Sequence, residues 1–189
     1  MKPTGSRPMS LAMLVMAMCS MLFAAGCSSS GSGVVASPIM FTYVPGAGPS
    51  PSVTTVLGAA STASVAEIEI HVTGVLDVLT ASFTLDYDPA TVGFLDFDAA
   101  GSHLASDGTT IQPIAQLTGA GQVTVGVTRL GATGIDFNTA QFLIKIRFLR
   151  VTANGTSMLA FGNNELLDSM TPPQPIAGVQ WFGGTFQVN

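Results

Sequence analysis

Ala81-Ser82-Phe83-Thr84-Leu85-Asp86-Tyr87-Asp88-Pro89 alternates apolar and polar residues and then closes on Asp-Pro. Successive side chains of a β-strand point to opposite faces, so this period of two marks a strand with one buried face and one wet face. Asp88-Pro89 ends it, since Asp bonds nearby backbone in turns and Pro has no N–H for a ladder. The same period appears on both sides. Ile68, Ile70 and Val72 alternate with Glu67, Glu69 and His71. Val123, Val125 and Val127 alternate with Gln122, Thr124, Gly126 and Thr128. Phe142, Ile144, Ile146 and Phe148 alternate with Leu143, Lys145, Arg147 and Leu149, and Phe186 and Val188 flank Gln187. Asn154-Gly155 is the preferred pair for a tight type I′ hairpin, here between a strand ending near Val151 and one starting near Thr156. Asp107-Gly108 and the glycine-rich residues 119–121 and 131–134 mark other turns. Helical periodicity is absent, apart from room for one helical turn at residues 164–170. Short, regularly spaced strands predict an all-β, antiparallel β-sandwich over residues 53–189.

The chain has 189 residues, 47% of them hydrophobic and 9% charged, with a mean hydropathy of +0.50. A disordered chain is poor in apolar residues and rich in charge, so disorder is excluded. Six Lys+Arg against 11 Asp+Glu give a net charge of −5, the wrong sign for binding nucleic acid.

Much of the apolar excess lies at the start. Lys2 and Arg7 precede the apolar run LAMLVMAMCSMLFAAG at residues 11–26, which reads as a secretory signal. Sixteen residues fall short of the roughly 20 that span a bilayer. Ala24-Ala25-Gly26-Cys27 resembles the bacterial lipobox, which implies cleavage before Cys27 and lipidation of its thiol. Ordinary cleavage with Cys27 left as a free thiol is the alternative. Ser28-Ser29-Ser30-Gly31-Ser32-Gly33 reads as a flexible tether, and residues 27–52 are assigned as linker. Ile39, Met40, Phe41 and Tyr43 are apolar enough to form a first strand instead. The expected product is exported and lipid-anchored to the cell envelope, facing the periplasm or the cell surface. Ser28 after the Cys is compatible with outer-membrane sorting. Cys19 leaves with the signal, so no disulfide can form within the mature chain. Four basic residues and 11 acids remain after residue 26, a net charge of −7.

Catalytic signatures are missing. No GxxxxGK loop, HExxH or GxSxG occurs. His71 and His103 read as surface residues. Asp86 with Asp88 and Asp96 with Asp98 are pairs spaced for acid–base chemistry on a sugar, but also for solvated strand faces and turn caps. Calcium suits such oxygens, yet no EF-hand run is present, so no cofactor is assigned.

Phe83-x-Leu85-x-Tyr87-Asp88-Pro89, followed by Val92, resembles the hallmark of cohesin domains, the sandwich modules that bind dockerins in cellulosomes and share a superfamily with some carbohydrate-binding modules. Gly121-Gln122-Val123-Thr124-Val125, Phe142-Leu143-Ile144-Lys145-Ile146-Arg147-Phe148, Gly155-x-Ser157-x-Leu159-x-Phe161 with Leu167-Asp168, and Gly183-Gly184-Thr185-Phe186-Gln187-Val188 resemble later segments of that family in order. The resemblance implies a jelly-roll-like sandwich of about nine strands, with one outer sheet face recognising a dockerin. A well-studied cohesin class carries an Asn and an Asp where this chain has Thr80 and Ser82, and an acid where it has Arg129. Such contacts are therefore lost or reversed here.

These readings predict a non-catalytic, membrane-anchored binding module. Its expected contact face is Ser82, Thr84, Asp86, Thr124, Thr128 and Arg129, and its expected partner is a dockerin-like or envelope protein. One alternative is a carbohydrate-binding module linked to polysaccharide degradation, with Trp181-Phe182 as an exposed platform unless Trp181 packs at the core edge. Another is a structural subunit of a surface or secretion assembly.

Overall fold

The computed structural model describes residues 41–189, which lie within one compact unit, Ser37–Asn189. The signal segment, Cys27 and the linker up to residue 40 lie outside the described residues. The strands are β1 (Phe41–Pro45), β2 (Ser52–Leu57), β3 (Val65–Thr73), β4 (Val75–Val78), β5 (Thr80–Asp86), β6 (Val92–Asp98), β7 (Ile111–Gly119), β8 (Gln122–Arg129), β9 (Ile135–Phe137), β10 (Gln141–Arg150), β11 (Gly155–Leu167), β12 (Gln180–Phe182) and β13 (Gly184–Val188). A single 3-10 turn spans His103–Ala105. The count exceeds nine because β4, β9 and β12 are short additions of three or four residues and β1 lies in the segment assigned as linker.

Two sheets form the sandwich. One has the order β1-β13-β11-β5-β8-β7 and the other β12-β2-β3-β10-β6, while β4 and β9 form a separate ribbon. Every pairing is antiparallel except β12 beside β2. This is the expected all-β jelly-roll sandwich. The period-two residues fill its interior: Ile68, Ile70 and Val72 of β3, Ala81, Phe83 and Leu85 of β5, Val123, Val125 and Val127 of β8, and Ile144, Ile146 and Phe148 of β10 are all buried. Aromatic contacts join the layers. Phe148 of β10 meets Phe186 of β13 at 5.1 Å between ring centroids, and Phe83 of β5 meets Trp181 of β12 at 5.5 Å. Such pairs contribute roughly 0.5–1.5 kcal/mol beyond the area they bury.

Three local expectations change. The folded unit starts before Val53, because Phe41–Pro45 forms β1 against β13, with Tyr43 opposite Phe186. Buried Tyr43 donates its hydroxyl proton to Thr55 Oγ1 at 2.7 Å, and Thr55 donates to the Gly183 carbonyl at 3.0 Å. Asn154-Gly155 does not close a hairpin. β10 is already paired on both edges by β3 and β6, and β11 by β13 and β5, so the turn carries the chain from one sheet to the other. Residues 164–167 are strand rather than helix. They continue β11 beyond an irregularity between Gly162 and Glu165, because pairing with β5 resumes at Glu165–Ser82.

Candidate binding surface

The outer face of β11-β5-β8-β7 is a grid set by register. One row reads Glu165, Ser82, Gly126, Ile114, and the next reads Gly162, Thr84, Thr124, Gln116. On either side lie Thr80, Thr128, Gln112 and Asp86, Gln122. Hydroxyls and amides dominate because these are the polar partners of the alternation in β5 and β8.

Half of these polar side chains are bound to a neighbour on the face. The Thr80 and Thr128 hydroxyls meet at 2.5 Å. Gln122 Nε2 donates to Asp86 Oδ1 at 2.7 Å, and Thr118 Oγ1 meets Gln122 Oε1 at 3.1 Å and Thr124 Oγ1 at 3.0 Å. A groove of about 380 Å3 crosses the face, lined by Thr80, Ser82, Gln112, Ile114, Gly126 and Thr128 among others. It exists because Gly126 presents no side chain where its strand neighbours Thr124 and Thr128 do.

Four of the six residues expected on this face, Ser82, Asp86, Thr124 and Thr128, are half-buried and turned outward on it. Thr84 has the right parity but is buried, covered by β11. A Cβ at Gly162 would stand 2.8 Å from Thr84 Oγ1, and that oxygen has no hydrogen-bond partner. Arg129 is a correction. Its side chain is 1% exposed and turns inward, in phase with Val123, Val125 and Val127. It donates to the Leu104 carbonyl, to the Thr133 carbonyl at 3.1 Å, to both Asp107 oxygens at 3.2 and 2.8 Å, and to Thr109 Oγ1 at 3.2 Å. The guanidinium holds the Asp107 carboxyl well below the usual range, helped by the Thr109 amide and hydroxyl. Arg129 thus clamps the end of β8 to the loop around the 3-10 turn and is no partner contact.

The opposite outer face is charged and satisfied within itself. Register sets Glu69 beside Lys145 and Asp98, and Glu67 beside Arg147 and Asp96. Arg147 grips Asp96 through two hydrogen bonds of 2.5 and 2.6 Å, Lys145 lies 3.6 Å from Glu67, and His71 lies 2.9 Å from Glu69.

The remaining candidates are structural. Asp88 caps its own turn, accepting from the Ala90 N–H at 2.9 Å and the Thr91 hydroxyl at 2.7 Å. Asp98 accepts from the Ala100 N–H. His103 lies edge-on to Phe137 and bonds the Asp136 carbonyl. Among the described residues, no three His, Cys, Asp or Glu side chains come together to hold a metal ion. Trp181 packs at the core edge, its ring 5.1 Å from Phe161 and 5.5 Å from Phe83, and the Phe182 ring lies over Gly48. Sequence reasoning missed two features. One is Asp77 of β4, at φ +55, whose carboxylate accepts from the Ser169 hydroxyl at 2.7 Å, the Ser169 N–H and the Gly134 N–H, stapling β4 to two loops. The other is the groove over Gly126.

No protein-family model matches the chain, and no curated protein matches it. Solved structures do. A type II cohesin domain from the cellulosome of Acetivibrio cellulolyticus is 15% identical, with 74% of this chain and 95% of that one covered and a TM-score of 0.58. The second type II cohesin module of the adaptor ScaA scaffoldin from the same organism is 10% identical, covering 77% and 86%, with a TM-score of 0.51. The third cohesin ScaC of Acetivibrio cellulolyticus, in complex with the ScaB dockerin, is 18% identical, covering 64% and 87%, with a TM-score of 0.50. At these identities the likeness speaks of architecture, and the architecture of this chain is the cohesin-like jelly-roll sandwich.

Proposed function

We propose that the chain is a non-catalytic, membrane-anchored binding module that docks a protein partner on the outer face of β11-β5-β8-β7. The observation that carries this reading is the contrast between the two outer faces. One pairs its charges internally, while the other is nearly uncharged and holds a groove with an exposed Ile114. A weakly charged surface with an apolar recess loses little on desolvation and gains area on contact. The partner is a dockerin-like or envelope protein. ScaC, one of the similar structures, is a cohesin in complex with a dockerin. The lipobox-like Ala24-Ala25-Gly26-Cys27 supports an anchor on the cell envelope through a lipid on Cys27.

Photo-crosslinking in cells tests the face. A crosslinker at Thr124 should trap a discrete partner, and one at Glu69 on the opposite face should not. Ser82→Lys with Thr124→Lys should abolish capture, and normal capture by that variant would remove this face from consideration. Labelling with a fatty-acid analogue tests the anchor: label lost in Cys27→Ser supports it, and label retained contradicts it.

A further inference from the structure

We infer that the groove over Gly126 accepts one uncharged aliphatic side chain of the partner, a Leu, Ile or Met, while a Lys or Arg of the same partner reaches Glu165. The inference rests on the docking face proposed above and names the side chains that face selects.

The floor of the groove is Gly126, and its walls are Ser82 on β5 and Ile114 on β7, both directly opposite Gly126 in register. Ile114 is 51% exposed, so an apolar wall stands ready for an apolar guest. No lining residue carries a charge. Among the described residues, Ser82 and Gln112 at the rim have no side-chain hydrogen bond, unlike the paired Thr80 and Thr128, so they are open to a guest's backbone.

Charge fixes the rest. The basic residues after Phe41 are Arg129, Lys145, Arg147 and Arg150. Arg129 turns inward, and the other three belong to β10 in the opposite sheet. The docking face therefore offers no cation, and a carboxylate brought into the groove would lose its hydration without replacement. Glu165 lies in the same row as Gly126, two strands away or roughly 10 Å. It is exposed and makes no ion pair among the described residues, whereas Asp86 on the same face is held by Gln122. An aliphatic anchor with a basic residue about 10 Å from it matches this arrangement in shape and in sign.

Panning a library of displayed linear peptides against the immobilised protein tests the inference, with Gly126→Val, Glu165→Gln and Ser82→Lys as counter-targets. Val fills the groove, since a Cβ at Gly126 already stands 3.2 Å from Ile114 Cγ2. Val suits a strand better than Gly, so the variant should keep or raise the melting temperature, which a thermal scan checks. Selected peptides should share one aliphatic and one basic position, bind Gly126→Val roughly tenfold or more weakly, about 1.4 kcal/mol, and lose several-fold on Glu165→Gln. Recovery of no binders, or of acidic residues at the shared position, overturns the inference. Peptides that lose binding to Ser82→Lys but tolerate Gly126→Val also overturn it while leaving the docking face in place. Peptides indifferent to all three variants overturn the face reading as well.

Discussion

Arg129→Met replaces the buried guanidinium with a side chain of similar length that donates nothing. Five hydrogen bonds disappear, to the Leu104 and Thr133 carbonyls, to both oxygens of Asp107 and to Thr109 Oγ1. Their loss is unequal. Thr133 and Asp107 are exposed and Thr109 is half-exposed, so water replaces the donor there. Leu104 is 0% exposed, and its carbonyl stays buried without one. A hydrogen bond to a charged group contributes roughly 1.5–3 kcal/mol, and an orphaned buried acceptor costs roughly 1–3 kcal/mol. The substitution should therefore cost about 2–4 kcal/mol, a large share of the 5–15 kcal/mol that holds a typical domain together. For a domain of this size the melting temperature should fall by roughly 5–15 °C. The single tryptophan, Trp181, sits against Phe83 and Phe161 and reports unfolding by fluorescence in a urea titration. Arg129→Lys keeps the charge but loses the fork, so it should fall between wild type and Met. Partner capture by either folded variant should stay normal, because the side chain faces inward. A stability change below about 0.5 kcal/mol for Met, the usual size for a surface site, would refute the clamp. Lost capture with unchanged stability would return Arg129 to the binding face.

Three further outcomes follow from titrating and tyrosine groups. Asp77 is held below the ordinary carboxylate range, first by the Ser169 hydroxyl, then by the Ser169 amide and with help from the Gly134 amide, and Asp107 is held down by Arg129. Depressed folded-state values add stability above an unfolded value near 3.9 and lose it as acid protonates the folded form. Stability should thus drop as pH falls below about 4, and Asp77→Ala should flatten that dependence in urea titrations at pH 3 and pH 6. Burial pushes both phenols up, Tyr43 furthest despite its hydrogen bond to Thr55, and Tyr87 against the effect of the Phe94 amide. A raised value adds stability below an unfolded value near 10 that is lost as pH rises. Tyr43, the buried one, should therefore ionise only together with unfolding, so a Tyr87→Phe variant should show no tyrosinate absorbance before it unfolds, and an earlier step in that variant would contradict the burial. Tyr43→Phe should cost about 1 kcal/mol, the usual value of one neutral hydrogen bond, and no loss at all would detach β1 from the fold.

Much of the fold was legible because one face of each central strand is buried. The alternation in β3, β5, β8 and most of β10 names the core residues directly, but it fails at the start of β10, where a register shift between Phe142 and Ile144 buries Leu143 and leaves Phe142 half-buried beside His71. The same alternation places Arg129 inward, in phase with Val127, and the family-based placement on the outer face overrode it wrongly. Thr84 follows parity, but parity says nothing about cover from a neighbouring strand, and the approach of Gly162 depends on long-range pairing. Asn154-Gly155 carried a strong hairpin signal that failed because β10 pairs with β3 and β6 in one sheet while β11 pairs with β13 and β5 in the other, a fact no local window contains. Tyr43 showed its strand pattern in sequence, yet the nearby prolines and glycines outweighed it. Gly126 read as one more polar-face position. Its groove emerges only when Ser82 and Ile114 arrive from two other strands.

Hydrogen exchange on the chain, alone and with its crosslink-identified partner, tests the docking face without any substitution. Protection is predicted in β5, β7 and β8 around Ser82, Ile114 and Gly126, with β3, β10 and the edge strand β6 unchanged. Protection confined to Glu67, Glu69, Lys145 and Arg147, with β7 and β8 unaffected, would contradict it.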